Sequence, residues 1–327
     1  MKILIKTAAI ISLSLLTACA SIENSIFDLA ISVERSFANL QEKRIKLEEH
    51  EWVYLEANAD EGKETVLLLH GFAAEKDNWT RMADSLEDYH VIAPDLPGHG
   101  ESSFDSDLFY GFDVQSLRLA RFVDALGLKQ FHIVGNSMGG GIAALYAYRH
   151  PHRILSLGLI DAVGFYGNEP SDLEIVLEKN LDNPLIVESK DDFDRLIEYA
   201  MHQPPFMPWP AKSVLTRKAM NRTEANKHIF EHIHKEAEAA KFAGGFVHVF
   251  EQLDMPTLVL WGEKDRVLDV SSVDKFFQHT PNVEVNVLLD IGHAPMLEVP
   301  QQTALILQDF WQRHTDSKAK LASNTNE

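Results

Sequence analysis

The chain has almost no cysteine. Its 327 residues contain one, Cys19, so no internal disulfide can form. Basic residues are also scarce: 30 Lys and Arg stand against 49 Asp and Glu, a formal charge of −19. A nucleic-acid partner needs a basic face for its phosphates, and the deficit argues against one. No internal repeat occurs. The apolar run at the N-terminus, from Thr7 to Leu16, is too short to span a bilayer comfortably, and no second candidate follows it. What remains is a globular composition, 45% apolar with 13 prolines, enough for one large domain or two smaller ones.

Lys2 and Lys6 precede that run, the pattern of a secretory signal peptide over residues 1–18. Leu16-Thr17-Ala18-Cys19 resembles the lipobox of bacterial lipoproteins. The resemblance implies that Cys19 is acylated, becomes the first mature residue and anchors the protein to a membrane in the cell envelope. Ala20 after it fits outer-membrane sorting in that family. A plain secretory signal with an incidental cysteine is the alternative. Next come Ile22, Ile26, Leu29, Val33, Phe37 and Leu40, spaced as one stripe on a helix within a tether over residues 19–48. Such a helix either packs on the domain's own surface or lies on a membrane beside the anchor.

From "RIKLEEHEWVYLEAN", two alternating stretches that suggest a hairpin at a sheet edge, the chain alternates strands with helices. Strands are expected at 65–70, 89–94, 131–135, 154–160, 256–262 and 283–289, and helices around 78–87, 113–127, 137–150, 271–279 and 300–314. This is the pattern of an α/β fold, a mostly parallel sheet flanked by helices, with a core at 49–162 and 249–315. Ligands in such sheets bind at the carboxyl ends of the strands. The alternation lapses over 163–248, a charged, helical stretch containing "HQPPFMPWP". It is expected to be a cap inserted after the sixth strand. Residues 316–327 are polar and expected to fray.

Three consecutive glycines, Gly139 to Gly141, stand where a helix should begin, each costing roughly 1 kcal/mol against alanine in a helix interior. Gly135-Asn136-Ser137-Met138-Gly139 explains them. It fits G-x-S-x-G between a strand and a helix, a strained turn that lifts a nucleophilic serine out of the sheet. Helix propensity is given up for close packing at a functional turn. A serine needs a base, and the base needs an orienting carboxylate, in the order serine, acid, histidine. Asp265 follows a strand, with Glu263 and Asp269 as rivals and Asp161 as a further candidate, and His293 follows the last strand. The oxyanion of an acyl-transfer intermediate needs two fixed donors. Met138 N–H at the helix start is one, and Phe72 N–H, beside Gly71, is the other; His70 is expected to support that loop.

Together "LLHGFAAEKDNW", "IAPDLPGHGES", "GNSMGG", "WGEKDRV" and "GHAPMLEVP" resemble the α/β-hydrolase fold family over about residues 50 to 315. Within it the chain is similar to bacterial lipase 1-type triacylglycerol lipases and to the membrane-bound monoacylglycerol lipases. The resemblance implies hydrolysis of lipid or other carboxylic esters through an acyl-enzyme on Ser137, with Asp265 as acid and His293 as base and no metal or cofactor. Asn136 departs from the pattern, since many lipases of this fold carry histidine before the serine. Short-chain carboxylesterases, proline iminopeptidases and carbon–carbon bond hydrolases share the serine. A non-enzymatic binding module would be expected to have lost a triad member. Activity is expected to rise with pH as His293 loses its proton.

Overall fold

A computed structural model describes residues 2–242 and 246–324, with side chains over 20–240 and 246–315. Eight strands form one sheet: β1 (Gln41–Leu47), β2 (His50–Ala57), β3 (Thr65–Leu69), β4 (His90–Pro94), β5 (Phe131–Asn136), β6 (Ile154–Ile160), β7 (Thr257–Gly262) and β8 (Val283–Leu288). Their order is β1-β2-β4-β3-β5-β6-β7-β8. The β1–β2 hairpin and the β2–β4 pair are antiparallel, and every later pairing is parallel.

Burial explains which strands read plainly. Every residue of β5 and of β7 is buried, as befits strands covered on both faces, and their sequences are nearly continuous apolar runs. β1 is the outer strand, and Glu42, Lys43, Arg44 and Lys46 keep that edge charged and closed to further pairing. One apolar core on one side of the sheet is built around Phe122, Ile142, Tyr146 and Trp261; the other, around Trp79, Val91, Leu260 and Trp311.

The sequence-based expectations fail at three places. The helix expected at 78–87 is a turn of 3-10 helix, Lys76–Trp79, followed by one α-turn, Thr80–Ala83. The C-terminal helix, Pro300–Asn324, runs through much of the segment read as a frayed tail. One helix, Lys2–Phe37, crosses from the signal-like segment into the tether, and the tether's end is strand β1. Cys19's side chain lies outside the described residues. The tether helix packs through Phe27, buried beneath the Lys218 ammonium, and through Glu23, which pairs with Arg217 at 2.5 Å. The stripe itself is left uncovered, with Leu29 67% and Phe37 71% exposed, while Leu40 is buried. No helix among the described residues is long and apolar enough to cross a membrane.

Between β6 and β7 lie helices Asp172–Glu178, Lys190–Ala200, Ala211–Asn221, Thr223–Phe242 and Val247–Phe250. The proline-rich stretch before the third of these carries Phe206 and Trp209, 85% and 69% exposed.

Candidate active site

Ser137 sits between β5 and the helix Met138–Arg149, at φ 54° and ψ −120°. A side chain rarely tolerates that conformation, which costs about 1–3 kcal/mol and persists only where the surroundings enforce it. They do so here. Ser137 N–H donates to Ile160 O at 3.0 Å, and Ser137 O accepts from Gly140 and Val163 N–H, each at 3.0 Å. Both glycines of the motif are sterically required. A Cβ on Gly139 would stand 2.4 Å from Leu69 O on the neighbouring strand, and one on Gly135 would stand 2.3 Å from Gly139 O.

Geometry brings one carboxylate to His293. Asp265 Oδ1 accepts the N–H groups of Val267 (2.7 Å) and Leu268 (3.0 Å), which turns Oδ2 toward His293. His293 Nδ1–H donates to that oxygen at 2.7 Å, leaving Nε2 with the lone pair a base requires. The rivals are engaged elsewhere: Glu263 accepts Asp290 N–H and Asp269 accepts Ser271 N–H. Asp161 lies behind Asp265, with Oδ1 accepting Gly262 N–H at 2.8 Å. Asp161, Asp265 and His293 are also the one group among the described residues whose donor atoms are close enough to ligate a metal, all within 4.8 Å of one another. The 2.7 Å contact between His293 and Asp265 is that of a charge-assisted hydrogen bond.

The loop after β3 comes up against the nucleophile, for a Cβ on Gly71 would stand 3.1 Å from Ser137 Cβ. That places Phe72 N–H near the serine, and among the described residues no acceptor engages it. Met138 opens its helix, so its N–H has no intrahelical partner. His70 braces this loop. Its Nε2 accepts Leu96 N–H at 2.9 Å and its Nδ1 bonds Gly71 O at 2.7 Å. Burial holds it neutral, with a pKa of about 4.

A family model described as alpha/beta hydrolase fold matches residues 64–300. The chain belongs to the α/β-hydrolase fold family. Lipase 1 of Psychrobacter immobilis is 35% identical over 305 residues, covering 91% of this chain and 93% of its own. Monoacylglycerol lipase abhd6-B of Xenopus laevis is 30% identical over 285 residues, 84% of this chain and 83% of its own. The crystal structure of a membrane phospholipase A, described as a bacterial virulence factor, superposes with a TM-score of 0.85 at 38% identity, covering 94% of this chain and 98% of that one.

Two residues of this hydrolase's site escape motif reading. Asn136 Nδ2 donates to Ile160 O (3.1 Å) and to His293 O (3.0 Å), tying the nucleophile's turn to the base's loop. Asn136 therefore acts as a strut between strands' ends, and its departure from histidine is the only signal the sequence carried. Glu298 accepts Gly292 N–H at 2.9 Å through one oxygen, and His202 and Gln203 N–H at 2.9 and 2.6 Å through the other. With His293 N–H donating to Ala200 O at 2.8 Å, this fastens the histidine loop to the inserted helices.

A cavity of about 310 Å³ lies between the core and the insertion, walled mainly by Val163, Phe165, Leu177, Phe230, Ile233 and Leu268. Val163 N–H bonds Ser137 O and Leu268 N–H bonds Asp265 Oδ1, so two of its walls are each one hydrogen bond from the site. Phe230 packs edge-on against Phe72 at 5.4 Å between ring centroids.

Proposed function

We propose that the protein is a lipase, a serine hydrolase of carboxylic esters of lipids, working through Ser137, His293 and Asp265. His293 Nε2 takes the Ser137 hydroxyl proton as Oγ attacks the ester carbonyl, and returns it to the leaving alcohol. The N–H groups of Phe72 and Met138 hold the oxyanion, and Asp265 stabilises the imidazolium that forms. Water, deprotonated by the same histidine, then releases the acyl group from Ser137. Residues 163–248 act as a cap over the core.

The observation that carries this reading is the strained Ser137 turn, tied through Asn136 to the loop of a His293 whose ring is bonded to Asp265; an apolar cavity between core and insertion offers room for a lipid chain. Its apolar walls suit a hydrocarbon chain, and an acyl chain is the natural occupant.

The uncovered stripe on the tether helix, with Phe206 and Trp209, supports an enzyme that works at a membrane surface. Its place is the cell envelope, reached through the signal segment and held by acylated Cys19. Replacing Cys19 by serine should move the protein out of the membrane fraction. If it stays, acylation is not its anchor.

Hydrolysis of p-nitrophenyl esters from two to sixteen carbons, alongside emulsified triacylglycerol and monoacylglycerol, tests the activity, with Ser137→Ala as blank. Turnover of the lipids and of the longer esters is expected. Activity confined to the shortest soluble esters would make it a carboxylesterase, and full activity in Ser137→Ala would end the assignment.

A further inference from the structure

The acid behind the acid has no use in the mechanism above. Asp161 follows β6 at φ 43°, is wholly buried, and bonds Leu260 O through its own N–H at 2.9 Å. Its Oδ1 accepts Gly262 N–H, but no donor among the described residues faces its buried Oδ2. An acceptor left without a donor in a dry site is costly, and more so when charged. The charged groups that bear on Asp161 are acids, Asp265 first and Glu298 behind it. Beyond Asp265 stand the Tyr199 phenol and the Arg266 guanidinium, the latter 4.6 Å from the Tyr199 ring centroid. Two carboxyls with oxygens within 4.8 Å in a water-poor site disfavour a second negative charge.

The hydrogen bonds say which of them keeps the proton. Asp265 receives two backbone N–H groups and the imidazole, three donors that favour its charged form. Asp161 receives one. Burial and the neighbouring Asp265 carboxylate both push Asp161 well above the usual carboxylate range.

We propose that Asp161 is a neutral carboxylic acid that donates its proton in a hydrogen bond to Asp265, holding the triad carboxylate in the plane of His293. It is a positioning residue, and its role rests on the reading of Asp265 and His293 as triad partners. A neutral Asp161 draws charge from Asp265, whereas an ionised one would add a second negative charge behind the imidazole. The two states predict opposite responses.

The test compares Asp161→Asn with Asp161→Val in the full chain, reading the pH profile of kcat/KM on a p-nitrophenyl ester. The amide supplies N–H where the acid supplied O–H, so Asp161→Asn should keep the acidic limb in place and lose no more than about tenfold in kcat. Valine removes the donor and leaves Asp265 more basic, so the limb should move to higher pH and kcat should fall at least about tenfold further. A limb moving to lower pH in both variants would mean an ionised Asp161. No change in either would mean that Asp161 does not touch the triad. Both results overturn the proposal.

Infrared difference spectra at pH 7 serve if the valine variant does not fold. The wild type minus Asp161→Asn should contain the carbonyl stretch of one protonated acid, and a carboxylate signal in its place overturns the proposal. Asp265→Asn separates the two readings. If it retains full activity, the triad assignment itself has failed, whatever the Asp161 variants do.

Discussion

The loops at the carboxyl edge of the sheet and the helices inserted above them are held in opposite ways. At the edge, backbone meets backbone or a wholly buried side chain, and glycines allow approaches that no other residue permits. The insertion is held largely through side chains reaching for backbone. The Arg222 guanidinium donates to Gly98 O and Gly100 O, Glu236 accepts Asp113 N–H at 3.0 Å, His232 accepts Tyr110 N–H at 3.3 Å, and His228 bonds Leu108 O at 3.1 Å. The candidate site is thus held by backbone, and the insertion meets it through backbone only near Val163 and Ala200; away from those points its hold is by side chains that can change with less effect on the site.

The largest effect should come from the rigid side. Asp265→Asn leaves the fold intact but gives His293 the wrong tautomer, and kcat should fall by about 10⁴-fold, measured on a soluble ester. Gly139→Val should follow, because its Cβ would stand 2.4 Å from Leu69 O. It is expected to lose several kcal/mol of stability, read by urea unfolding, along with nearly all activity. Asn136→Ala takes the donor from the His293 carbonyl, at a cost of about 1–3 kcal/mol, while Ile160 O keeps its bond from Ser137 N–H; the histidine loop is freed, so kcat should drop more than KM rises.

A change in the insertion should behave differently. Arg222→Ala, which releases the insertion from Gly98 and Gly100, should raise KM for the longer esters while turnover of p-nitrophenyl acetate stays within a few-fold of wild type. Equal losses on both esters would erase the contrast drawn here.

The smallest effect is on stability against pH. His70 has a folded pKa of about 4, against roughly 6.5 when unfolded. Between those values the unfolded chain binds a proton that the folded one refuses, so stability falls as pH drops from about 6.5 to 4, by roughly 3 kcal/mol at most. His99, also held well below its ordinary value by burial, should add to the slope in the same direction. In His70→Asn the pH dependence of urea unfolding over that interval should lessen by about one proton.

Much of this was legible in the sequence, for reasons that differ by residue. β5 and β7 could be read because burial on both faces requires an unbroken apolar run. Ser137 could be read because its strained turn needs glycines at fixed offsets, a local condition. The acid was less plain, since Asp161, Glu263, Asp265 and Asp269 all follow strands. Only the N–H groups of Val267 and Leu268 turn one of them toward the base. Asn136 and Glu298 were missed because their partners are far along the chain, 157 and about 95 residues away. Periodicity put Ile22, Ile26, Leu29, Val33 and Phe37 on one helix face, but Leu40 lies buried past the helix end, and which face is covered depends on Phe27 and Arg217, set by packing with a segment nearly two hundred residues on.

The Asn136–His293 strut has a consequence for how the enzyme comes into being. It joins residues 157 positions apart, and the Asp265–His293 bond cannot form before β7 and β8 are paired. On the proposed roles, a chain still emerging from the ribosome, or folded only as far as β6, carries Ser137 with no His293 beside it to act as base. Long-range closure of this kind is slow compared with the local helices. On refolding, ester hydrolysis should therefore be the last signal to return, and lipids near an unfinished chain are safe from it.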